Sequence, residues 1–178
     1  AAQRINTDPR EAIRLVVNTV MLLLDPNTNK IGSIFDRTLF AWDNNQNKAK
    51  QRDEKPKEYH DTKEIVKEVL TFLLGTVHID SPDAEGDDIV ATVVNNTKPG
   101  DLIYIVSGDK DLMQLQGGNC QYYSLNDKAL LSTSYIVHKF PNIKRPDQIA
   151  LALAVVGDPV DKISGIGGYG EVRCRKLF

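Results

Sequence analysis

The sequence contains little cysteine and no long apolar run. Its two cysteines, Cys120 and Cys174, lie far apart and lack a C-x-x-C spacing, which disfavours both a disulfide framework and a structural zinc site. The longest apolar run extends only from Val20 to Leu24, far too short to span a bilayer. The opening residues also lack the pattern of a signal peptide. We therefore expect a cytoplasmic protein with no membrane contact.

An excess of positive charge is absent as well. The chain has 22 Lys and Arg against 24 Asp and Glu, which gives a net charge of -2 and a pI near 5.9. On average over the chain, this balance argues against a surface coated in positive charge for nucleic acid. Hydrophobic residues at 41% and charged residues at 26% of the 178 positions are typical of one soluble globular domain.

Segments of helical periodicity alternate along the chain with short apolar segments. We predict helices over 9–24, 61–74, 81–95 with Ser81 as N-cap, 145–156, and from Glu171 onward. We predict strands over 37–42, 76–79, 102–107, 120–124 and 129–132. Because these strands lack polar alternation, the order predicts an α/β fold with a largely parallel sheet covered by helices.

Acidic residues gather where the predicted elements begin or end. Some would lie in the first turn of a helix, where carboxylates also serve as ordinary caps. Others directly follow apolar strands, where ligands bind in open α/β sheets. Oxygen ligands without histidine or cysteine suit Mg²⁺ or Mn²⁺, and two such ions can promote phosphodiester hydrolysis. The candidate metal ligands are Asp43, Glu85, Asp87, Asp88, Asp109, Asp111, Asp158 and Asp161.

The segment 44–58 is polar and dense in positive charge. It includes Lys48, Lys50 and Arg52. The pattern alone leaves two interpretations open, a solvated loop or a basic lid over a phosphate backbone.

A glycine-rich turn near the end of the sequence contains a formal G-x-G-x-x-G at Gly165, Gly167 and Gly170. A dinucleotide-binding site would need a strand before it, whereas an acidic loop precedes this one. We favour a hairpin between two helices, in which glycines let backbone N–H groups approach a phosphate. The neighbouring basic residues that could support such a contact are Arg173, Arg175 and Lys176.

Together these segments resemble the 5′ nuclease family, which includes bacteriophage 5′-exonucleases and RNase H-type enzymes, the 5′ nuclease domain of bacterial DNA polymerase I, and flap endonucleases. The sequence A-E-G-D-D at 84–88 resembles the family's E-A-D-D helix start, and S-G-D-K-D-L at 107–112 is close to its S-G-D-K-D-L strand end. F-A-W-D at 40–43 matches its strand-and-aspartate element. Residues 157–170 resemble its helix–three-turn–helix motif, which binds duplex DNA.

The resemblance implies a fold and an activity. The fold would be a PIN-like α/β core over 1–145, with a basic arch near 44–58 and a truncated helix–three-turn–helix region over 146–178 in the same compact unit. The activity would be a structure-dependent 5′ nuclease that cleaves 5′ ends or 5′ flaps of DNA, or RNA–DNA hybrids, with two Mg²⁺ or Mn²⁺ ions. A K⁺ ion at the glycine-rich turn and a bacterial or phage-infected cell also follow from the resemblance. The sequence itself does not indicate an oligomeric state, and we expect a monomer.

The resemblance also implies a role for each candidate residue. Lys48 and Arg52 would steer the scissile phosphate and stabilise its developing charge. The first metal would be held by Asp43, Glu85, Asp87 and Asp109, and the second by Asp111, Asp158 and Asp161, with Asp88 near both. The DNA backbone would contact Lys50, Gly165, Gly167, Gly168, Gly170, Arg173, Arg175 and Lys176.

Three other functions remain open: a PIN-type ribonuclease, a catalytically weak DNA-binding member of the same family, and a structural α/β domain with acidic loops. The family's opening strand and aspartate are not among these residues, and only four residues separate Asp43 from Lys48, where the family carries a longer arch. We therefore expect a part of a larger protein. Without the eight candidate ligands, 16 acids face 22 Lys and Arg, which leaves a basic surface for DNA.

Overall fold

The chain divides into two compact units, Ala1–Ile89 and Val90–Phe178, and each unit is described by itself. The computed structural model describes residues 10, 11, 14, 17, 18 and 21 and the ranges 32–34, 57–79, 84–140, 143–159, 163–174 and 176–177. The six single residues are all helical, as the predicted helix over 9–24 requires. The predicted strand over 37–42 lies outside the described residues.

The first unit contains a two-stranded parallel sheet. Strand β1 (Gly32–Ile34) pairs with strand β2 (Val77–Ile79), so that Ser33 lies opposite His78. The β2 strand confirms the one predicted over 76–79. The sequence analysis did not predict β1, a strand of three residues that is too short to show a periodicity of its own.

Helix α1 (Lys57–Leu74) precedes β2 and packs against it. Its Thr62, Val66 and Leu70 follow one another a turn apart and are all buried, so they mark the inward face of an amphipathic helix. The helix begins before the predicted position 61, and the predicted loop over 44–58 is wrong at its last two residues. In the added turn, the Thr62 hydroxyl donates a hydrogen bond to the Glu58 carbonyl at 2.7 Å.

The second unit is built on a three-stranded sheet with helices around it. Helix α2 (Gly86–Asn95) spans the position at which the chain divides. The strands are β3 (Ile103–Ser107), β4 (Cys120–Ser124) and β5 (Ala129–Leu131). The helices are α3 (Thr133–Lys139), α4 (Ile149–Val156) and α5 (Glu171–Cys174), with 3₁₀ turns at Asp111–Leu115 and Pro146–Gln148.

The order in this sheet is β3-β4-β5. β3 and β4 are parallel, and β4 and β5 are antiparallel. The register aligns Ile105 with Tyr122 and Tyr122 with Leu131, and all three residues are buried. These three residues form a row on the face of the sheet that packs into the core. The observed strands confirm the three strands predicted in this region.

The core of the second unit forms where the 3₁₀ turns, α4 and the sheet meet. Tyr122, Ile136 and Ile149 are 0% exposed. Both cysteines are buried in this core as free thiols. Burial raises the pKa of Cys120 to about 11, so its thiol stays protonated and behaves as a small apolar group.

Three predicted helices need correction. α2 begins at Gly86, whereas Ser81 was predicted as its N-cap: Ala84 and Glu85 are not helical, and Ile89 N–H bonds to the Glu85 carbonyl at 3.2 Å. The helix predicted from residue 145 opens with a 3₁₀ turn at Pro146–Gln148, in which Gln148 N–H donates to the Arg145 carbonyl at 3.1 Å. The last helix, predicted from Glu171 onward, covers only Glu171–Cys174 among the described residues.

Helix α3 was not predicted from the sequence. Ser132 is its N-cap, and its Oγ accepts a hydrogen bond from Tyr135 N–H at 3.2 Å. This polar residue follows β5 directly, so the pattern suggested the end of a strand.

The described strands confirm the α/β class, and two of their three pairings are parallel. None of the helices in the described ranges combines the length and hydrophobicity that a membrane-spanning helix needs.

The core of the second unit yields a first prediction. Ile136→Ala removes a side chain that is 0% exposed, so we expect a loss of about 2–5 kcal/mol of unfolding free energy. Leu130→Ala is the matched control, because Leu130 is 49% exposed and its truncation leaves no cavity. Urea unfolding followed by circular dichroism measures both, and equal losses would contradict this account of the core.

Candidate metal centre

The loop that follows β3 carries Asp109 and Asp111. Asp109 N–H donates to Ser107 Oγ at 3.0 Å, and Asp111 N–H donates to Asp109 Oδ1 at 2.9 Å. The Asp109 carboxylate therefore caps the 3₁₀ turn with one oxygen. Asp109 is exposed, so its carboxylate is accessible to a ligand from solution.

One side chain of β4 and one side chain of the turn after β4 donate hydrogen bonds to backbone carbonyls of this loop. The Tyr122 hydroxyl lies 2.9 Å from the Ser107 carbonyl and 2.6 Å from the Asp109 carbonyl. Asn126 Nδ2 donates to the Gly108 carbonyl at 2.8 Å. Burial raises the pKa of Tyr122 to about 12, so its hydroxyl stays protonated and continues to donate at neutral pH.

The acidic loop after β3 and the loop after α4 are joined by an ion pair. Lys110 Nζ donates to Asp158 Oδ2 at 2.7 Å. Asp158 is 2% exposed, and a buried carboxylate requires a nearby cation or several hydrogen-bond donors. The pair therefore brings together, within the second unit, two of the acidic segments that the sequence analysis singled out.

The loop after α4 is held by very close backbone approaches. Asp158 and Ile163 exchange backbone hydrogen bonds at 2.9 and 2.8 Å. Gly157 and Gly165 have φ values of +99° and +66°, and a Cβ on Gly165 would lie 2.5 Å from the Val156 carbonyl carbon. Gly165, a candidate DNA-binding residue, is thus required by the fold itself.

The other glycines of this turn are exposed. A Cβ on Gly167 or Gly170 would meet nothing within 4 Å. Arg173 Nη1 donates to the Gly168 carbonyl at 3.0 Å, and Arg173 N–H donates to the Gly170 carbonyl at 3.0 Å. The candidate Lys176 is also exposed, just after α5.

Three further candidates belong to the first unit. Glu85 is half-buried, and Asp87 and Asp88 are exposed in the first turn of α2. Asp88 Oδ2 accepts the Glu85 N–H at 3.2 Å, so at least part of its role is to cap the helix. The candidates that lie outside the described residues are Asp43, Lys48, Lys50, Arg52, Asp161 and Arg175.

The chemistry of the described candidates suits a hard divalent cation. The ligand atoms that Asp109, Asp111 and Asp158 offer are all carboxylate oxygens, and one carboxylate already binds an ammonium group at 2.7 Å. Within the ranges that the structure describes, no three Asp, Glu, His or Cys side chains come close enough to hold a metal ion. A complete set of metal ligands would therefore have to include side chains in addition to those that lie close together in the described ranges.

Comparison with known proteins identifies the family. Residues 2–141 match the model of the 5′-3′ exonuclease N-terminal resolvase-like domain. The chain belongs to the 5′-3′ exonuclease family. The match confirms the family that the sequence motifs indicated. The matched residues include every candidate acidic ligand that the structure describes except Asp158.

Two sets of relatives extend the comparison. A 5′-3′ exonuclease of Mycoplasmopsis pulmonis is 30% identical over 176 residues, which cover 95% of this chain and 57% of that protein. The chain thus spans little more than half of that curated relative. The bacteriophage T5 5′-exonuclease with bound divalent zinc ions has a TM-score of 0.63 at 18% identity, covering 97% and 68% of the two chains. The T5 flap endonuclease in a pseudo-enzyme-product complex with DNA and metal ions has a TM-score of 0.65 at 17% identity, covering 95% and 65%.

Three residues that hold the loops carrying the candidate ligands, namely Lys110, Tyr122 and Asn126, were not predicted from the sequence. Lys110 lies inside the S-G-D-K-D-L segment, so its position between two acids was a usable signal. Tyr122 and Asn126 gave no such signal, because their contacts with the loop arise only from the pairing of β3 with β4.

The glycine turn yields a second prediction. Gly165→Ala should destabilise the protein by more than about 1 kcal/mol, because the φ of +66° and the Val156 backbone both oppose a Cβ. Gly167→Ala should change stability by less than about 0.5 kcal/mol, since a Cβ there meets open space. Thermal unfolding of both variants checks this. Equal stability of the two would contradict the close approach.

The ion pair yields a third prediction. Lys110→Met leaves the buried Asp158 carboxylate without its ammonium partner, and we expect a loss of about 2 kcal/mol in metal-free buffer. Lys98→Met, at an exposed lysine of the same unit, should cost less than about 0.5 kcal/mol. Chemical unfolding in the presence of EDTA measures both. A Lys110→Met variant as stable as Lys98→Met would contradict a structural role for the pair.

Proposed function

We propose that this chain is the nuclease core of a divalent-metal-dependent 5′ nuclease that hydrolyses phosphodiester bonds at 5′ ends or 5′ flaps of DNA. Membership of the 5′-3′ exonuclease family supports the reaction class. The observation that carries the proposal further is the Lys110–Asp158 ion pair at 2.7 Å. It brings the buried carboxylate of Asp158 beside the S-G-D-K-D-L loop, with the Lys110 ammonium group balancing its charge in the metal-free protein.

We propose the acidic candidates as metal ligands. In the second unit they are Asp109, Asp111 and Asp158, together with Asp161. For Asp43, Glu85, Asp87 and Asp88 the proposal rests on the resemblance of their sequence segments to the family's motifs. The bound ions, Mg²⁺ or Mn²⁺, would supply an activated water and stabilise the leaving oxygen. Bound zinc in the T5 5′-exonuclease supports a divalent ion in this role.

The protein's own contribution is to orient these carboxylates before a metal arrives. Asp109 is held through its N–H, its carbonyl and its Oδ1. Asp158 is held by its backbone pairing with Ile163 and by Lys110. Such preorganisation lowers the cost of assembling several like charges around one site.

We propose DNA as the partner, bound mainly through its phosphate backbone. The complex of the T5 flap endonuclease with DNA supports this assignment. In the present chain, the exposed Gly167, Gly168 and Gly170 turn offers backbone to a phosphate, and Arg173 lies against it. Lys48, Lys50, Arg52, Arg175 and Lys176 would add positive charge. Recognition would follow DNA structure rather than base sequence, because contacts to phosphates carry no direct sequence information.

Finer features of the family belong to the same proposal. They are a helix–three-turn–helix motif over 146–178 that binds a K⁺ ion, activity on RNA–DNA hybrids, a monomeric state and a cytoplasmic location. The described glycine turn between α4 and α5 supports the motif, although α5 extends only from Glu171 to Cys174 among the described residues.

A cleavage assay tests the proposed function. The full-length protein should cut a labelled 5′-flap DNA in Mg²⁺ and fail to cut it in EDTA. Asp109→Asn and Asp158→Asn should each slow cleavage at least about 100-fold, while duplex binding measured by fluorescence anisotropy changes by less than about threefold.

Asp101→Asn is the matched control, because Asp101 is an exposed acid of the same unit that lies before β3. It should cleave like the unaltered protein. Absence of metal-dependent cleavage by the full-length protein would overturn the proposal. Preference for single-stranded RNA over the flap would instead indicate a PIN-type ribonuclease.

A further inference from the structure

Tyr122 stands out because it is a fully buried tyrosine whose hydroxyl reaches the acidic loop. It is 0% exposed. Its phenol oxygen lies at hydrogen-bond distance from two backbone carbonyls of the Ser107–Asp109 segment. We propose that Tyr122 is a positioning residue that sets the orientation of the Asp109 carboxylate for metal binding, an inference that rests on the proposed function of Asp109.

The parallel pairing of β3 and β4 explains how the hydroxyl reaches the loop. Tyr122 lies opposite Ile105, so its ring packs in the core beneath the end of β3. A tyrosine is longer than a phenylalanine by its hydroxyl group, and that extra length brings an O–H donor to the turn that follows Ser107. Packing alone would be satisfied by phenylalanine, which needs no hydrogen-bond partner when buried.

The Tyr122 hydroxyl has a single proton to share between the two carbonyls, and the carbonyls do not depend on it equally. The Ser107 carbonyl also accepts Leu125 N–H at 2.9 Å, so this carbonyl is satisfied without the tyrosine. The Asp109 carbonyl lies nearer to the hydroxyl, at 2.6 Å, and takes its described hydrogen bond from it. The tyrosine therefore acts mainly on Asp109.

The consequence is that Asp109 is held at three points. Its carbonyl binds Tyr122, its N–H binds Ser107 Oγ at 3.0 Å, and its Oδ1 binds Asp111 N–H at 2.9 Å. With the backbone and one carboxylate oxygen held, the direction of Oδ2 is determined. Partners that orient a metal ligand in this way contribute to metal affinity although they do not touch the ion.

The test measures binding of Mn²⁺ alone to the full-length, metal-free protein by electron paramagnetic resonance. Tyr122→Phe removes only the hydroxyl and should weaken Mn²⁺ binding about tenfold. Binding of flap DNA in EDTA should be unchanged, which a general loss of structure would not allow. Circular dichroism establishes that each variant is folded at the temperature of the titration.

Two further variants sharpen the result. Tyr123→Phe is the matched control, because the next residue of β4 makes no side-chain hydrogen bond to any described residue, and it should bind Mn²⁺ like the unaltered protein. Asn126→Ala releases the Gly108 carbonyl of the same loop from an exposed position, and it should weaken Mn²⁺ binding about threefold.

The outcomes separate this inference from the proposed function. If Asp109→Asn binds Mn²⁺ normally, the proposed metal role of Asp109 fails. If Asp109→Asn weakens binding but a folded Tyr122→Phe does not, the positioning role alone is wrong. If Tyr122→Phe is not folded at that temperature, the titration is made at a lower temperature at which circular dichroism shows it folded, and normal Mn²⁺ binding there overturns the inference.

Discussion

The carboxylate of Asp158 is almost completely removed from water, and this charge must be balanced inside the protein. Burial of an unpaired ion costs several kcal/mol, so the fold is stable only when a cation comes to it. The ammonium group of Lys110 does so, and it can reach Asp158 only if the loop after β3 and the loop after α4 meet. The backbone pairing of Asp158 with Ile163 then holds the second loop against α4. In this unit, the contact that balances the charge of Asp158 is therefore also the contact that joins the two loops.

The net charge of the chain does not indicate which partner it binds. A total of -2 combines acids concentrated at the ends of a few elements with basic residues elsewhere in the sequence. A cluster of carboxylates and a basic surface cancel in the sum, although each acts on its own neighbourhood within about one Debye length, roughly 8–10 Å in ordinary buffers. The net charge of the whole chain therefore bears on solubility, whereas the charge of a local surface bears on which partner binds there.

The elements that the sequence predicted well are those with a strong local signal. β3 follows from a run of β-branched and aromatic residues, and β2, β4 and β5 from short segments between turns. The start of α2 was misplaced because Ser81-Pro82 is a good helix start by composition, while Glu85 and Asp88 form the cap in the folded chain. α3 was missed because its cap, Ser132, follows β5 without a break. At the site, the acidic clusters were visible in the sequence, but Tyr122 and Asn126 reach the loop only through strand pairing, which no local pattern encodes.

The loop that carries Asp109 and Asp111 is also the crossover between the parallel strands β3 and β4. Parallel neighbours need a connection of about a dozen residues, and here residues 108–119 serve with a 3₁₀ turn in place of the usual α-helix. The strands cannot pair until this segment has closed, so the acidic loop must form during folding rather than after it. The same residues therefore connect two paired strands and carry two candidate metal ligands. A change in the length of this loop would act on both, because Tyr122 of β4 donates its hydrogen bond to Asp109 in the loop.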